Sequence, residues 1–130
     1  MTTVLLDTHV LQWWSAEPDR LSEPATRVID RADRLAVAAI TWFELAWLVA
    51  HERIALSVPV RSWLARLAVD VDTMDITPAV AETAMALPSS FPGDPADRLV
   101  YATAIEHGLE LVTKDRRLHR HRHPRTITVW

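Results

Sequence analysis

Short apolar runs alternate with amphipathic stretches along the whole chain, and the alternation predicts strands and helices in turn. Val4 to Leu6 is an apolar run ending at Asp7, which predicts a buried strand with a carboxylate at its C-terminal end. A helix should begin within Thr8 to Trp14. Ser22 suits a helix N-cap with Pro24 in the first turn, and Ala25, Val28, Ile29 and Ala32 keep helical spacing up to Asp33. Leu35 to Ala38 predicts a second strand. Thr41 and Glu44 have capping-box spacing and precede "LAWLVAHERI", apolar around most of its surface, so that helix is expected to be buried or to meet a partner. Val60 to Ala68 predicts an amphipathic helix, Val71 to Ile76 a strand, and Thr77-Pro78 the start of a helix through Ala86. After the loop "LPSSFPG", Asp94-Pro95 opens a helix to His107, and Gly108 suits its left-handed C-cap. Leu109 to Val112 and Thr126 to Val129 read as the last two strands. Such interleaving predicts an α/β sandwich with a mostly parallel central sheet, one domain over residues 1–130 without repeat or linker.

Composition narrows the chemistry. Hydrophobic residues make up 49% and charged residues 24% of the 130, the balance of a globular chain rather than a disordered one. The chain has no cysteine, which excludes disulfides, thiolate metal sites and thiol nucleophiles. "MTTVLLDTHVLQWW" lacks a positive start and is interrupted by Asp7 and His9, so neither a secretory signal nor a membrane span is expected, and a soluble cytoplasmic protein is. The net charge of −3 conceals an asymmetry: Lys114, Arg116, Arg117, Arg120, Arg122 and Arg125 crowd into the tail "KDRRLHRHRHPR". Cations there would grip phosphates beside an acidic centre.

In doubly wound α/β folds, ligands bind outside the carboxyl ends of the strands, and the informative acids fall in that layer. Asp7 ends the first strand, Glu44 opens the helix after the second, Asp94 and Asp97 open a later helix, and Asp115 follows the strand after it. Each has a structural reading too, as a cap or as a first-turn acid that complements the helix dipole. Jointly they suggest more. Two carboxylates about 5 Å apart at an effective dielectric of about 20 repel by roughly 3 kcal/mol, so a cation should sit among them. An all-oxygen set favours a hard dication, Mg²⁺ or Mn²⁺, over zinc.

As a set, "VLLDTH", "AAITWFELAWL", "GDPADRLVYATAIEHG" and "LELVTKDRRL" resemble, in order and over essentially the whole chain, PIN-domain ribonucleases of the VapC toxin group. The resemblance implies a PIN-like α/β/α sandwich, Mg²⁺- or Mn²⁺-dependent endoribonuclease activity on RNA, a homodimer, and inhibition by a VapB antitoxin. Its four acids fall on Asp7, Glu44, Asp97 and Asp115. Asp94 belongs to a D-P-x-D-R variant, with metal ligand, support for a ligand and plain cap all open. Thr8 and Thr113 match hydroxyl residues beside the acids. The implied mechanism makes Asp7 and Asp97 the principal ligands, with Glu44 and Asp115 holding the ion's hydration shell or a second ion. Arg98 or Arg116 would help neutralise phosphoryl charge.

Other features carry less. His119, His121 and His123 alternate with arginines in what reads as a solvated basic tail, and His9 and His51 show no partner pattern. Of six tryptophans, Trp42 and Trp47, with Phe43 and Leu48, fit either a dimer or antitoxin interface or the core. Trp13 and Trp14 are adjacent and cannot leave a helix in one direction, so one is expected to be exposed or to meet the antitoxin. Two rivals stand beside the nuclease. A receiver-like phosphoacceptor domain wants paired acids after the first strand, where this chain has Asp7-Thr8. A catalytically silent PIN-fold module binding nucleic acid or protein would need no acids at these positions, yet all four are present.

Overall fold

The computed structural model describes residues 1–122 and 126–130. In chain order the elements are β1 (Thr3–Leu6), α1 (Thr8–Ala16), a 3-10 turn (Pro18–Arg20), α2 (Glu23–Arg31), β2 (Arg34–Ala38), α3 (Ile40–Ala50), α4 (Val60–Asp70), β3 (Asp72–Met74), α5 (Pro78–Ala86), α6 (Pro95–His107), β4 (Glu110–Val112), α7 (Arg116–His119) and β5 (Thr128–Val129). All five strands are parallel, in the order β3-β2-β1-β4-β5. The chain winds from β1 outward through β2 to β3, then returns to lay β4 on the other side of β1. The carboxyl ends of β1 and β4 therefore flank the point where the winding reverses, the place such sheets leave open for a ligand.

Pleating divides the core. Val4 and Leu6 of β1 join Val10, Leu11, Ala25, Ile29, Leu45 and Leu67 on one face, while Leu5 joins Val100, Tyr101, Ala104 and Leu118 on the other. Burial on both faces explains why the central strands read as continuous apolar runs. A smaller cluster of Val80, Ala84 and Ala102 packs α5 against α6.

Local caps follow the sequence closely. Ser22 Oγ accepts from Ala25 N at 3.2 Å, Thr77 Oγ1 from Val80 N at 3.2 Å, and an Asp94 carboxylate oxygen from Ala96 N at 2.8 Å. Gly108 has φ 64° and ends α6 through hydrogen bonds to the carbonyls of Ala104 and Ile105.

Three expectations need correction. The capping box at Thr41 and Glu44 does not form: α3 starts at Ile40 on Ala39, which has no side-chain cap, so both residues lie within the helix, which ends at Ala50 rather than running on through Ile54. The backbone of Ala39 instead donates to Met74 O at 2.8 Å, a contact from β3 that spacing alone does not reveal. Next, the basic tail is partly folded rather than wholly solvated. Leu118 of α7 is fully buried, a His119 ring nitrogen contacts Thr113 O at 2.5 Å, and the His121 ring packs edge-on against Phe91 and Tyr101. His123 and Arg125 of that tail lie outside the described residues. Neither Trp13 nor Trp14 is exposed: Trp13 lies beside His9 and Trp130, and Trp14 packs on the core under α1. The central sheet, expected to be mostly parallel, is parallel in each of its four pairings.

Candidate active site

Parallel pairing of Leu6 with Val112 sets Asp7 and Thr113 side by side just past the ends of β1 and β4, and Asp7 N continues the ladder to Val112 O at 3.0 Å. Asp7 is only 6% exposed. Its carboxylate accepts from Thr8 N at 2.8 Å through Oδ1 and from the Thr113 hydroxyl at 2.7 Å through Oδ2. Thr113 Oγ1 also accepts from Asp115 N at 3.1 Å. On the other side the Thr8 hydroxyl donates to Glu44 Oε1 at 2.5 Å and lies 3.0 Å from Thr41 Oγ1. With its one proton directed to Glu44, Thr8 accepts from Thr41. Placement of Thr41 and Glu44 three residues apart inside α3 puts both on the face turned to Thr8.

An arginine extends the chain to a further acid. Arg117 donates to both oxygens of Asp115, at 3.0 Å from Nε and 2.6 Å from Nη2, and its Nη2 reaches Asp97 Oδ2 at 3.0 Å. Glu44, Thr8, Asp7, Thr113, Asp115, Arg117 and Asp97 thus form one hydrogen-bonded chain drawn from α3, α1, β1, β4, α7 and α6. Asp94 stays outside it as the exposed cap of α6.

Electrostatics marks the same residues. Burial raises the Glu44 carboxyl to about 7; the Thr8 hydrogen bond opposes this, and the charges of Asp7, Asp97 and Asp94 add to it. Burial likewise raises Asp97 to about 6, with Asp94 and Asp7 reinforcing and Arg117 opposing. Asp115 is held below its ordinary range, first by its hydrogen bond from Arg117. The neighbourhood is therefore crowded with negative charge that one guanidinium offsets at one end only. Among the described residues, no group of three or more His, Asp or Glu side chains closes on a point as a finished metal cage. All five predicted acids lie in one electrostatic neighbourhood, four of them joined in one network.

Sequence reasoning misplaced one cation and gave no role to other side chains at the site. Arg98, expected to help at the phosphoryl group, donates from all three guanidinium nitrogens to the carbonyls of Pro92, Ala84, Leu87, Pro88 and Phe91, at 3.0–3.3 Å. It pins the loop before α6 and has no donor to spare. Arg116 is exposed, whereas its neighbour Arg117 makes the acidic contacts. His9, given no role, has Nδ1 3.7 Å from Asp7 Oδ2 and accepts from Lys114 N at Nε2, 3.0 Å away. That contact puts the neutral ring's proton on the nitrogen facing Asp7, and burial lowers the ring's pKa despite the nearby charges of Asp7 and Asp115. Thr41 was visible only as a supposed cap.

Beside Glu44, α3 presents Phe43, 66% exposed, and Trp47, 43% exposed, with Ile40, Leu48, Pro95 and Ala96 along a groove. Trp42 turns inward, donating to Thr73 Oγ1 at 3.0 Å and packing on the core. No helix among the described residues is long and apolar enough to cross a membrane.

Comparison with known proteins gives a consistent pattern. The family described as "PIN domain" matches residues 4–124. The chain is 72% identical to "Ribonuclease VapC22" of Mycobacterium tuberculosis over 130 residues, the full length of both. Among solved structures it is similar to VapBC2 from Rickettsia felis bound to a promoter DNA fragment, with TM-score 0.71, 15% identity and 98% of each chain covered. It is also similar to a toxin–antitoxin complex from Klebsiella pneumoniae, with TM-score 0.63, 22% identity and 86% of each chain covered.

Proposed function

This chain belongs to the PIN-domain family, and from that premise we propose that it is a VapC-type toxin: an endoribonuclease that cuts RNA phosphodiester bonds with Mg²⁺ or Mn²⁺ and is neutralised by a VapB-type antitoxin in the cytoplasm. The observation that carries the reading is the single hydrogen-bonded chain joining four acids at the carboxyl ends of β1 and β4. Full-length identity of 72% to a protein named as a ribonuclease supports the activity, and likeness to VapBC complexes supports the antitoxin.

The residues fit a hard dication. Every side-chain donor to it would be a carboxylate oxygen, and burial and mutual repulsion push Glu44 and Asp97 toward protonation at neutral pH, the mark of a site short of positive charge. Asp7 and Asp97 would be the principal ligands, with Glu44 and Asp115 supporting and Asp94 adding charge from the rim. When bound, such an ion supplies Lewis acidity and offsets the charge that grows on the phosphoryl oxygens. Thr8 and Thr113 hold both Asp7 oxygens so that the carboxylate cannot rotate away. Glu44 uses Oε1 to accept from Thr8, and its titration near neutrality suits Oε2 to take the proton of an attacking water. The exposed side chains of Lys114, Arg116, Arg120 and Arg122 would hold flanking RNA phosphates. Phe43 and Trp47 offer apolar surface for an antitoxin or a second copy of the chain.

A cleavage assay on total RNA with Mg²⁺ titrated from zero tests the reading. Cleavage that rises with Mg²⁺ and stops with a chelator is the expected result; RNA bound but never cut would favour the silent module instead.

A further inference from the structure

We propose that Arg117 is a resident counter-ion of the acidic centre, whose bridge between Asp97 and Asp115 must open before a divalent cation is held there. The proposal rests on the metal-dependent reading above and adds a residue to it. Both oxygens of Asp115 and one of Asp97 carry hydrogen bonds from this guanidinium, and those are lone pairs a dication would use. One charged group thereby joins α6 to α7, with the Arg117 backbone N–H also on Asp115 Oδ1 at 2.9 Å.

Two features distinguish a counter-ion that can leave from a fixed structural clamp. The Arg117 side chain is 55% exposed, so it can swing into water without opening a cavity. Arg98, by contrast, is locked onto five carbonyls. Asp97 and Asp115 are themselves largely shielded, 15% and 19% exposed, so water screens them poorly and, when the guanidinium departs, another cation or a proton must meet their charge. Arg117 and the metal ion compete for the same negative charge, and each weakens the other's hold by an equal factor.

The test is Mn²⁺ binding to the full chain, followed by the electron paramagnetic resonance signal of the free ion, without RNA. Exposed ion pairs of this kind are modest, so Arg117→Gln is expected to bind Mn²⁺ about 5-fold more tightly than the unaltered chain. Arg117→Lys, keeping the charge but losing the fork, should fall between them. Arg27→Gln, which removes a like charge from α2, should match the unaltered chain. Melting curves without metal check that each variant folds, and Mn²⁺ should raise the melting temperature of Arg117→Gln more than that of the unaltered chain. Equal or weaker binding by folded Arg117→Gln, while Asp7→Asn abolishes binding, would overturn the counter-ion proposal alone and make Arg117 a holder of the acids. Absence of Mn²⁺ binding in the unaltered chain and in Arg117→Gln would overturn the metal reading and this proposal together.

Discussion

Thr113 is fully buried, donates to Asp7 and accepts from the backbone of Asp115, so a neutral side chain sets the positions of two acids. Thr113→Val keeps the shape and removes the hydroxyl. RNA cleavage should fall about 10- to 100-fold, the usual loss for a group that orients a ligand, and Thr113→Ser should restore most of it; initial rates on folded protein decide. Glu44 yields a pH prediction. Its folded pKa of about 7 lies above the ordinary 4.5, so the contribution is fully present below about 4.5 and is lost as pH rises through 7. Melting temperatures of the metal-free chain and of Glu44→Gln should therefore diverge between pH 5 and 8, the unaltered chain losing ground to the variant as pH rises. A constant difference would contradict a buried, charge-crowded Glu44. At this scale Asp7, Asp94, Asp97 and Asp115 were legible because they follow apolar runs or open helices, whereas Glu44, read as a helix-opening acid, lies inside α3. Arg117 and His9 were not: one is hidden in a run of like cations, and the other meets Lys114, 105 positions away.

Among the elements, the loop between α5 and α6 depends on Arg98. Arg98→Met strands several carbonyls that now accept from a charged donor, and should cost about 3 kcal/mol, read from the urea midpoint. Because this loop leads into Asp94 and Asp97, cleavage should fall as well. At Gly108 an added Cβ meets nothing within 4 Å, so Gly108→Ala tests backbone conformation alone and should cost about 1 kcal/mol through the positive φ. Helix starts at Ser22, Thr77 and Asp94 were readable because a side chain caps its own helix within three residues. The start of α3 was not, since its first turn is anchored by β3 across the sheet. Nor was α7, whose four residues are held by the burial of Leu118 and not by any periodic pattern.

For the whole molecule, alternation of apolar runs and helices announced the layers, but not the order of the strands. That order depends on which strand β4 joins, and only the parallel pairing of β1 with β4 brings Asp7 beside Thr113 and Asp115. The five acids come from four separate stretches of chain, and the winding reversal at β1 collects them on one edge of the sheet. The exposed Phe43 and Trp47 leave an apolar strip beside that edge, where the sequence left core and interface equally open. The most direct test is the rate of RNA cleavage in saturating Mg²⁺ by the unaltered chain and by Asp7→Asn, each shown folded by its melting curve. Cleavage by the unaltered chain and none by the variant is predicted, because Asp7 is the buried acid through which both halves of the network connect. Equal cleavage by folded Asp7→Asn would contradict a catalytic centre at the ends of β1 and β4.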